Sequence, residues 1–121
     1  MGKSHSRTLS FAYAISGIKE ALIQEPNLRI HFVFALLALL LGAYLKLSIL
    51  EWIIILFTIS FVIILELINT VLEIIIDMNT SQIQPEARMA KDISASCVLI
   101  SATIATFVGI LIYLPKIIQL L

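Results

Sequence analysis

Three long stretches of apolar residues, each bounded by charged or turn-forming residues, dominate the chain. The first covers residues 30–45, the second begins at Trp52, and the third covers residues 93–114 and is followed by Pro115 and Lys116. Backbone in hydrocarbon must satisfy its own hydrogen bonds, so each stretch predicts a membrane-spanning helix. We expect spans over about 28–47, 51–77 and 90–115, with a short antiparallel hairpin after the first and a helix end at Pro115.

A different periodicity precedes the first span. Between residues 8 and 25, apolar residues recur at spacings of three and four, and polar residues fall on the other side. This pattern predicts an amphipathic helix in the membrane interface, ended or kinked at Pro26. Residues 1–121 are therefore predicted to be one all-α membrane domain, with an N-terminal surface helix followed by three transmembrane helices.

Composition agrees with a membrane protein, and charge predicts its orientation. Of the 121 residues, 60% are hydrophobic and 13% charged, whereas soluble domains are about a quarter charged. Eight basic and eight acidic residues cancel, which argues against a nucleic-acid partner.

Four basic residues precede the first span and two lie in the second loop, against one in the first loop and one near the end. This excess predicts that the N-terminus and the second loop are cytoplasmic.

The second span carries a stripe of carboxylates in its last third. At about 100° per residue, Glu66, Glu73 and Asp77 fall within roughly 40° of one another on a helix, with Asn69 to one side. A carboxylate at membrane depth costs about 3 kcal/mol unless it is paired, hydrated or bound to a cation. The stripe therefore indicates a cation or a charged substrate at the cytoplasmic lipid boundary. Three spans are predicted to be too few to surround it, so we expect self-association.

Further charged residues flank the other two spans. Glu25 comes before the first span, and Lys91 and Asp92 come directly before the third. Two carboxylates can hold a divalent cation, a third can accept a proton, and an ammonium can bind phosphate; phosphoryl transfer needs these parts. The sequence contains no glycine-rich phosphate loop. A cation- or proton-coupled transporter subunit and a passive membrane assembly protein therefore remain open alternatives.

The spacing of these residues resembles a known family. From about residue 11 to 116, the chain resembles the prokaryotic diacylglycerol kinase family. Three runs carry the resemblance: Glu66-Leu-Ile-Asn-Thr-x-x-Glu-x-x-x-Asp77, then Ala-Lys91-Asp, and Glu25-Pro-Asn-Leu-Arg-Ile-His31 ahead of the first span. The Arg-Ile-His run and the Leu-Pro-Lys ending are similar to its Gram-positive, undecaprenol kinase-like branch. The resemblance implies a homotrimer in the bacterial cell (inner) membrane, with sites shared between chains.

The same resemblance implies the chemistry. It predicts ATP as phosphoryl donor, Mg²⁺ as cofactor and a membrane lipid alcohol as acceptor. Undecaprenol, giving undecaprenyl phosphate, is the preferred acceptor, and diacylglycerol, giving phosphatidic acid, is the alternative. Position by position, the family pattern implies the following roles: Glu66 as general base, Asn69 as the orienting residue, Lys91 as the phosphate-binding catalytic lysine, Glu25 and Glu73 as metal ligands, and Glu25, Glu73, Asp77, Lys91 and Asp92 as nucleotide-binding residues.

Several positions depart from the family pattern or suit a simpler role. Val71, Ile74 and Ile75 are bulkier than the small residues expected there, and Ser94, Ser96 and Cys97 stand where alanine and glycine are usual. His31, at the start of the first span, is interpreted as an interfacial anchor.

Overall fold

Four helices make up most of the chain. The computed structural model describes residues 7–79, 82 and 84–121. In chain order the helices are α1 (Arg7–Gln24), α2 (Pro26–Leu45), α3 (Ile49–Asn79) and α4 (Pro85–Leu120). This confirms the all-α prediction. The predicted turn after α3 falls mostly on Thr80 and Ser81, which lie outside the described residues.

Helices α2, α3 and α4 are each long and apolar enough to cross a membrane. The chain is therefore a multi-pass membrane protein, as predicted. Their 20, 31 and 36 residues correspond to lengths of about 30, 46 and 54 Å at a rise of 1.5 Å per residue. A bilayer core is about 30 Å thick, so α2 matches it while α3 and α4 extend beyond it. Helix α1 has no buried residue, and its location in the interface stays a prediction.

A single extended residue separates α1 from α2. Glu25 has φ −110° and ψ 104°, and Pro26 occupies the first turn of α2. Proline suits this position because its missing N–H would have no partner in the first turn of a helix. The predicted break at Pro26 is thus confirmed, and it places the Glu25 carboxylate at the membrane-boundary end of α2.

The hairpin between α2 and α3 is closed by local hydrogen bonds and tight packing. Lys46 is left-handed, with φ 56° and ψ 59°. Ser48 and Glu51 cap α3 reciprocally, since each side chain accepts a hydrogen bond from the other's backbone N–H, at 3.2 and 2.9 Å. Gly42 lies so close to Trp52 that a Cβ there would be 2.9 Å from the indole ring. We call this end of the bundle the hairpin end.

Helix α4 joins the hairpin end through its C-terminal turns. Leu47, Ile55 and Tyr113 form a buried apolar cluster, and the Tyr113 hydroxyl donates a 2.7 Å hydrogen bond to the carbonyl of Ala38 on α2. Lys116 Nζ lies 3.2 Å from Glu51 Oε1. These contacts hold α4 against both other spans.

The predicted helix end at Pro115 is wrong, because α4 continues through Pro115 to Leu120. Proline removes one intrahelical hydrogen bond and crowds the preceding turn. Tertiary contacts directly after the proline offset that cost: Lys116 pairs with Glu51, and Ile117 packs against the buried cluster.

Candidate active site

The opposite end of the bundle carries the conspicuous carboxylates, and we call it the acidic end. It comprises Glu25, His31, Glu66, Asn69, Glu73, Asp77 and Lys91. Glu66 lies 17 residues after Ile49 on α3, about 26 Å along the helix axis. Glu73 and Asp77 lie further on, where α3 extends past the bilayer core. The predicted stripe therefore straddles the membrane boundary.

Glu66 is the most buried ionisable group of the described chain, with 2% of its surface exposed. Its Oε2 lies 3.7 Å from Nε2 of His31 on α2, which is a polar contact but too long for a good hydrogen bond. The sequence argument for self-association assumed that one chain could not bury the stripe. That assumption is wrong for Glu66, because a single chain already buries it.

Two further carboxylates lie near Glu66. Glu25 and Glu73 are both close enough to Glu66 to act on it electrostatically. Glu25 forms no capping hydrogen bond at the start of α2, although carboxylates commonly cap helices in this way. The structure thus places the predicted site carboxylates Glu25 and Glu73 within electrostatic range of Glu66. This leaves an excess of negative charge at the membrane boundary.

Asn69 connects Glu73 to α4. Its Nδ2 donates a 3.3 Å hydrogen bond to Glu73 Oε1, and its Oδ1 accepts a 2.7 Å hydrogen bond from the Ser94 hydroxyl. Both Asn69 and Ser94 are buried. An ionised carboxylate only accepts hydrogen bonds, so the amide nitrogen of Asn69 must face Glu73.

Asp77 and Lys91 form an ion pair between α3 and α4 on the exposed surface of the acidic end. Their side chains are 65% and 38% exposed, respectively. Asp92 is exposed beside them, and no hydrogen bond or ion pair within the described ranges joins it to the other predicted site residues. The predicted nucleotide-binding residues therefore separate into a half-buried group near Glu66, formed by Glu25 and Glu73, and an exposed group around Lys91.

The available donors suit a hard cation that keeps water or phosphate ligands. Within residues 7–79, 82 and 84–121, no group of three or more histidine, cysteine, aspartate or glutamate side chains is arranged to hold a metal ion. Mg²⁺ is usually held by only one or two carboxylates together with water and substrate phosphates. Glu25 and Glu73 supply that number of carboxylates, so the chemistry of the donor set fits Mg²⁺.

A large apolar cavity opens between α2, α3 and α4 next to the acidic end. It has a volume of about 670 Å³ and extends from His31 and Val62 towards Tyr113 and Ile117. Glu66 does not line it, but Val62 is one helical turn away and His31 contacts Glu66 directly. The cavity therefore connects the neighbourhood of the buried carboxylate to the hydrocarbon interior.

The polar groups lining this cavity are nearly all engaged with backbone. The hydroxyls of Thr58, Thr106 and Tyr113 donate to the carbonyls of Ile54, Ala102 and Ala38. The remaining polar side chain of the lining is His31. A ligand in the cavity would thus meet a polar partner at one end, beside Glu66.

Sequence reasoning missed two residues of this arrangement. His31 was interpreted as an interfacial anchor, yet it contacts Glu66 and lines the cavity. Ser94 was noted only as a departure from the family pattern, yet it bonds to Asn69. The sequence did offer one indication that His31 could lie near the site: it follows Glu25 by six residues and lies one turn into the first span. No sequence pattern pointed to Ser94.

Comparison with known proteins identifies the family. The family model described as prokaryotic diacylglycerol kinase matches residues 12–113, which include every predicted site residue. The chain belongs to the prokaryotic diacylglycerol kinase family. The resemblance stated from the motifs is thus confirmed, and the hypotheses of a transporter subunit and of a passive assembly protein lose their support.

Curated relatives within the family carry two different names. An undecaprenol kinase from Bacillus subtilis is 40% identical over 107 residues, covering 88% of this chain and 87% of that protein. A diacylglycerol kinase from Synechocystis sp. is 34% identical over 114 residues, covering 93% of this chain and 65% of that protein. A diacylglycerol kinase from Helicobacter pylori is 30% identical over 96 residues, covering 79% of this chain and 75% of that protein.

Proposed function

We propose that this family member is an ATP-dependent lipid kinase that phosphorylates undecaprenol to undecaprenyl phosphate. The observation that supports this proposal most strongly is the position of Glu66, a buried carboxylate next to the polar end of an apolar cavity of about 670 Å³. A lipid alcohol matches this arrangement, because it has one polar hydroxyl at the end of a long hydrocarbon chain. The greater identity to the undecaprenol kinase than to the two diacylglycerol kinases favours undecaprenol.

Glu66 is the general base of this proposal. Its carboxylate is held in a dry environment beside His31, so a hydroxyl at the end of the cavity would reach it without competing water. Removing the hydroxyl proton as the oxygen attacks phosphorus is the role that a positioned carboxylate fills in phosphoryl transfer. Asn69 lies one turn further along α3 and orients Glu73.

The nucleotide phosphates would lie on the water side of Glu66. Glu25 and Glu73 are the residues that would hold Mg²⁺, and the bound ion would neutralise phosphate oxygens. Lys91 offers an ammonium as a point charge for phosphate, at present paired with Asp77. Asp77 and Asp92 would lie close to the nucleotide.

The hydrocarbon chain of the lipid would occupy the cavity. On α4 the lining extends from Ala102 to Ile117, a rise of about 22 Å along the helix. Gly109 lies midway on this wall, and a Cβ built on it would meet no atom within 4 Å. A larger side chain there would therefore enter the cavity without disturbing the helix packing.

The direct test offers purified protein γ-labelled ATP and Mg²⁺, with undecaprenol and diacylglycerol in parallel detergent mixtures. Labelled undecaprenyl phosphate is expected to form faster than labelled phosphatidic acid. No labelled lipid from either alcohol, in a folded preparation, would contradict the kinase proposal. Faster phosphorylation of diacylglycerol would overturn only the choice of acceptor.

A series at Gly109 tests the location of the lipid chain. Substitution by alanine, leucine and phenylalanine should progressively lower kcat/KM for undecaprenol, by about tenfold or more at phenylalanine, the scale on which apolar pockets discriminate. A short isoprenoid alcohol such as farnesol should be affected less. Ile104→Phe is the matched control, because Ile104 is exposed on α4 and outside the cavity lining. Equal losses for both alcohols would place the chain elsewhere.

We further propose a homotrimer in the bacterial cell (inner) membrane, with the N-terminus and the second loop cytoplasmic. The excess of basic residues on those segments supports this orientation. One chain contributes Glu66 and the half-buried Glu25 and Glu73 near it, so the exposed pair of Asp77 and Lys91 is the part of the site open to a neighbouring chain. Sharing between chains would then join Glu66 of one chain to Lys91 of the next.

Mixing inactive chains tests this sharing. Glu66→Gln chains combined with Lys91→Gln chains should recover some activity, because a mixed trimer can assemble an intact site from two neighbours. Glu66→Gln combined with Glu25→Gln is the control and should recover none, since one chain brings those two residues together. No recovery in the first mixture, or recovery in the control, would contradict the proposed sharing.

A further inference from the structure

We propose that Ser94 is a positioning residue of the acidic end: its hydroxyl fixes the carboxamide of Asn69, and through it the carboxylate of Glu73. The inference rests on the proposed function, because Glu73 matters there as a metal ligand. It goes beyond that function by assigning a role to a residue of α4 that departs from the family pattern.

The geometry is a short hydrogen-bonded chain across two helices. Ser94 Oγ lies 2.7 Å from Asn69 Oδ1, and Asn69 Nδ2 lies 3.3 Å from Glu73 Oε1. Ser94 is 7% exposed and Asn69 is 9% exposed. Water therefore has little access to replace either partner, and a buried carboxamide oxygen without a donor is costly.

Ser94 differs from the other small hydroxyls of its helix. Its hydroxyl donates to a side chain of α3, whereas the others resolved on α4 donate to carbonyls of α4 itself. Those self-bonded residues are Ser96, Ser101, Thr103 and Thr106. Local bonding is the ordinary use of a hydroxyl within a helix. Ser94 thus forms a tertiary contact at the site.

Both ends of the Asn69 carboxamide are specified by this arrangement. Its NH₂ group faces an acceptor-only carboxylate and its oxygen faces a hydroxyl donor. Without the hydroxyl, the oxygen loses its donor and the carboxamide gains freedom to turn, so Glu73 loses a fixed partner. Loss of Ser94 should therefore produce a weaker form of the defect caused by loss of Glu73, and not the defect caused by loss of Glu66.

Ser94→Ala tests this in a Mg²⁺ titration of lipid phosphorylation. The half-saturating Mg²⁺ concentration should rise about threefold to tenfold, which corresponds to one neutral hydrogen bond, and turnover at saturating Mg²⁺ should change little. Ser101→Ala is the matched control, because Ser101 is equally buried on α4 but bonds only to Val98 of its own helix. An unchanged Mg²⁺ requirement for Ser94→Ala, or the same rise for Ser101→Ala, would contradict the proposal.

A second measurement needs no turnover. The chain has three asparagines, Asn27, Asn69 and Asn79, so the side-chain NH₂ signals of ¹⁵N-asparagine-labelled protein can be assigned with an Asn69→Ala variant. The Asn69 signal should shift in Ser94→Ala and stay in place in Ser101→Ala.

The hydroxyl-retaining variant Ser94→Thr should restore both the signal and the Mg²⁺ requirement. A raised Mg²⁺ requirement in Ser94→Thr with an undisturbed Asn69 signal would contradict the proposed link to Glu73. An undisturbed Asn69 signal in Ser94→Ala would contradict the hydrogen bond itself. Failure of the proposed function would instead appear as absent lipid phosphorylation by the unmodified protein, with the Asn69 signal still responding to Ser94→Ala.

Discussion

The two ends of the helix bundle use polar residues in opposite ways. At the hairpin end, Glu51 caps its own helix and pairs with Lys116, and Tyr113 donates to a backbone carbonyl. At the acidic end, Glu66 is almost fully buried but lies 3.7 Å from its nearest basic partner. Glu25 lacks a capping hydrogen bond. The first end pairs Glu51, Lys116 and Tyr113 internally, whereas, in the part of the chain that the structure describes, Glu66 and Glu25 of the second end have neither a close ion pair nor a helix-capping bond.

This difference separates stability from chemistry. Charged groups in a membrane protein are costly wherever they occur, and the hairpin end offsets that cost for Glu51 and Lys116 by pairing them with each other. At the acidic end, Glu25 and Glu73 lie within electrostatic range of Glu66, and this accumulation of carboxylates favours binding of a cation. Substitutions at the hairpin end should therefore lower the stability of the protein and leave its catalytic activity unchanged. Substitutions at the acidic end should lower the activity and leave the stability unchanged.

Among the substitutions that distinguish the two ends, a large effect is expected at the proposed metal ligands, Glu73 and Glu25. Glu73→Gln and Glu25→Gln should each raise the half-saturating Mg²⁺ concentration at least about tenfold, since even outer partners of metal ligands are worth that much. A Mg²⁺ titration of ATP-dependent lipid phosphorylation gives the result. Glu51→Gln, from the hairpin end, is the control and should titrate normally. An unchanged Mg²⁺ requirement in both site variants would remove the metal assignment.

The next effect concerns packing at the hairpin end. Gly42→Ala would place a Cβ 2.9 Å from Trp52 and 3.0 Å from Leu47. Overpacking costs about 1–3 kcal/mol, whereas alanine returns at most about 1 kcal/mol of helix propensity. We expect a lower melting temperature in detergent, with normal lipid phosphorylation per folded molecule. Gly109→Ala, where a Cβ meets no neighbour, should not melt lower. Equal melting of the two variants would refute the packing argument.

The smallest effect is expected at His31, which lies between the cavity and Glu66. His31→Ala should lower kcat/KM for undecaprenol about threefold to tenfold, the scale of one hydrogen-bonding partner, at an unchanged Mg²⁺ requirement. His31→Gln keeps a donor and should lose less. Kinetics at fixed ATP and varied lipid give the comparison. A Mg²⁺ shift as large as that of Glu73→Gln would assign His31 to the metal instead.

The sequence predicted best what depends on periodicity within one helix. The order of the helices, the break at Pro26 and the alignment of Glu66 with Glu73 and Asn69 on α3 all follow from chain-local rules of spacing and backbone restriction. The role of Glu25 followed from the family resemblance alone and stays a prediction. In the structure, the break at Pro26 leaves Glu25 within electrostatic range of Glu66.

What the sequence missed depends on contacts between helices. Which face of α2 meets α3 decides that His31 reaches Glu66, and the packing of α4 on α3 decides that Ser94 reaches Asn69. The continuation of α4 beyond Pro115 likewise depends on Lys116 and its partner on α3. Spacing along one chain segment contains no information about such crossings.

The most direct test of the proposed separation of chemistry from stability compares two variants, Glu66→Gln and Glu51→Gln. The quantity measured is the initial rate of phosphoryl transfer from ATP to undecaprenol. Loss of a general base should lower the Glu66→Gln rate at least about 100-fold while its Mg²⁺ requirement and melting temperature are retained. Glu51→Gln should transfer phosphate at the unmodified rate per folded molecule and melt at a lower temperature. A near-normal rate for Glu66→Gln would contradict the account.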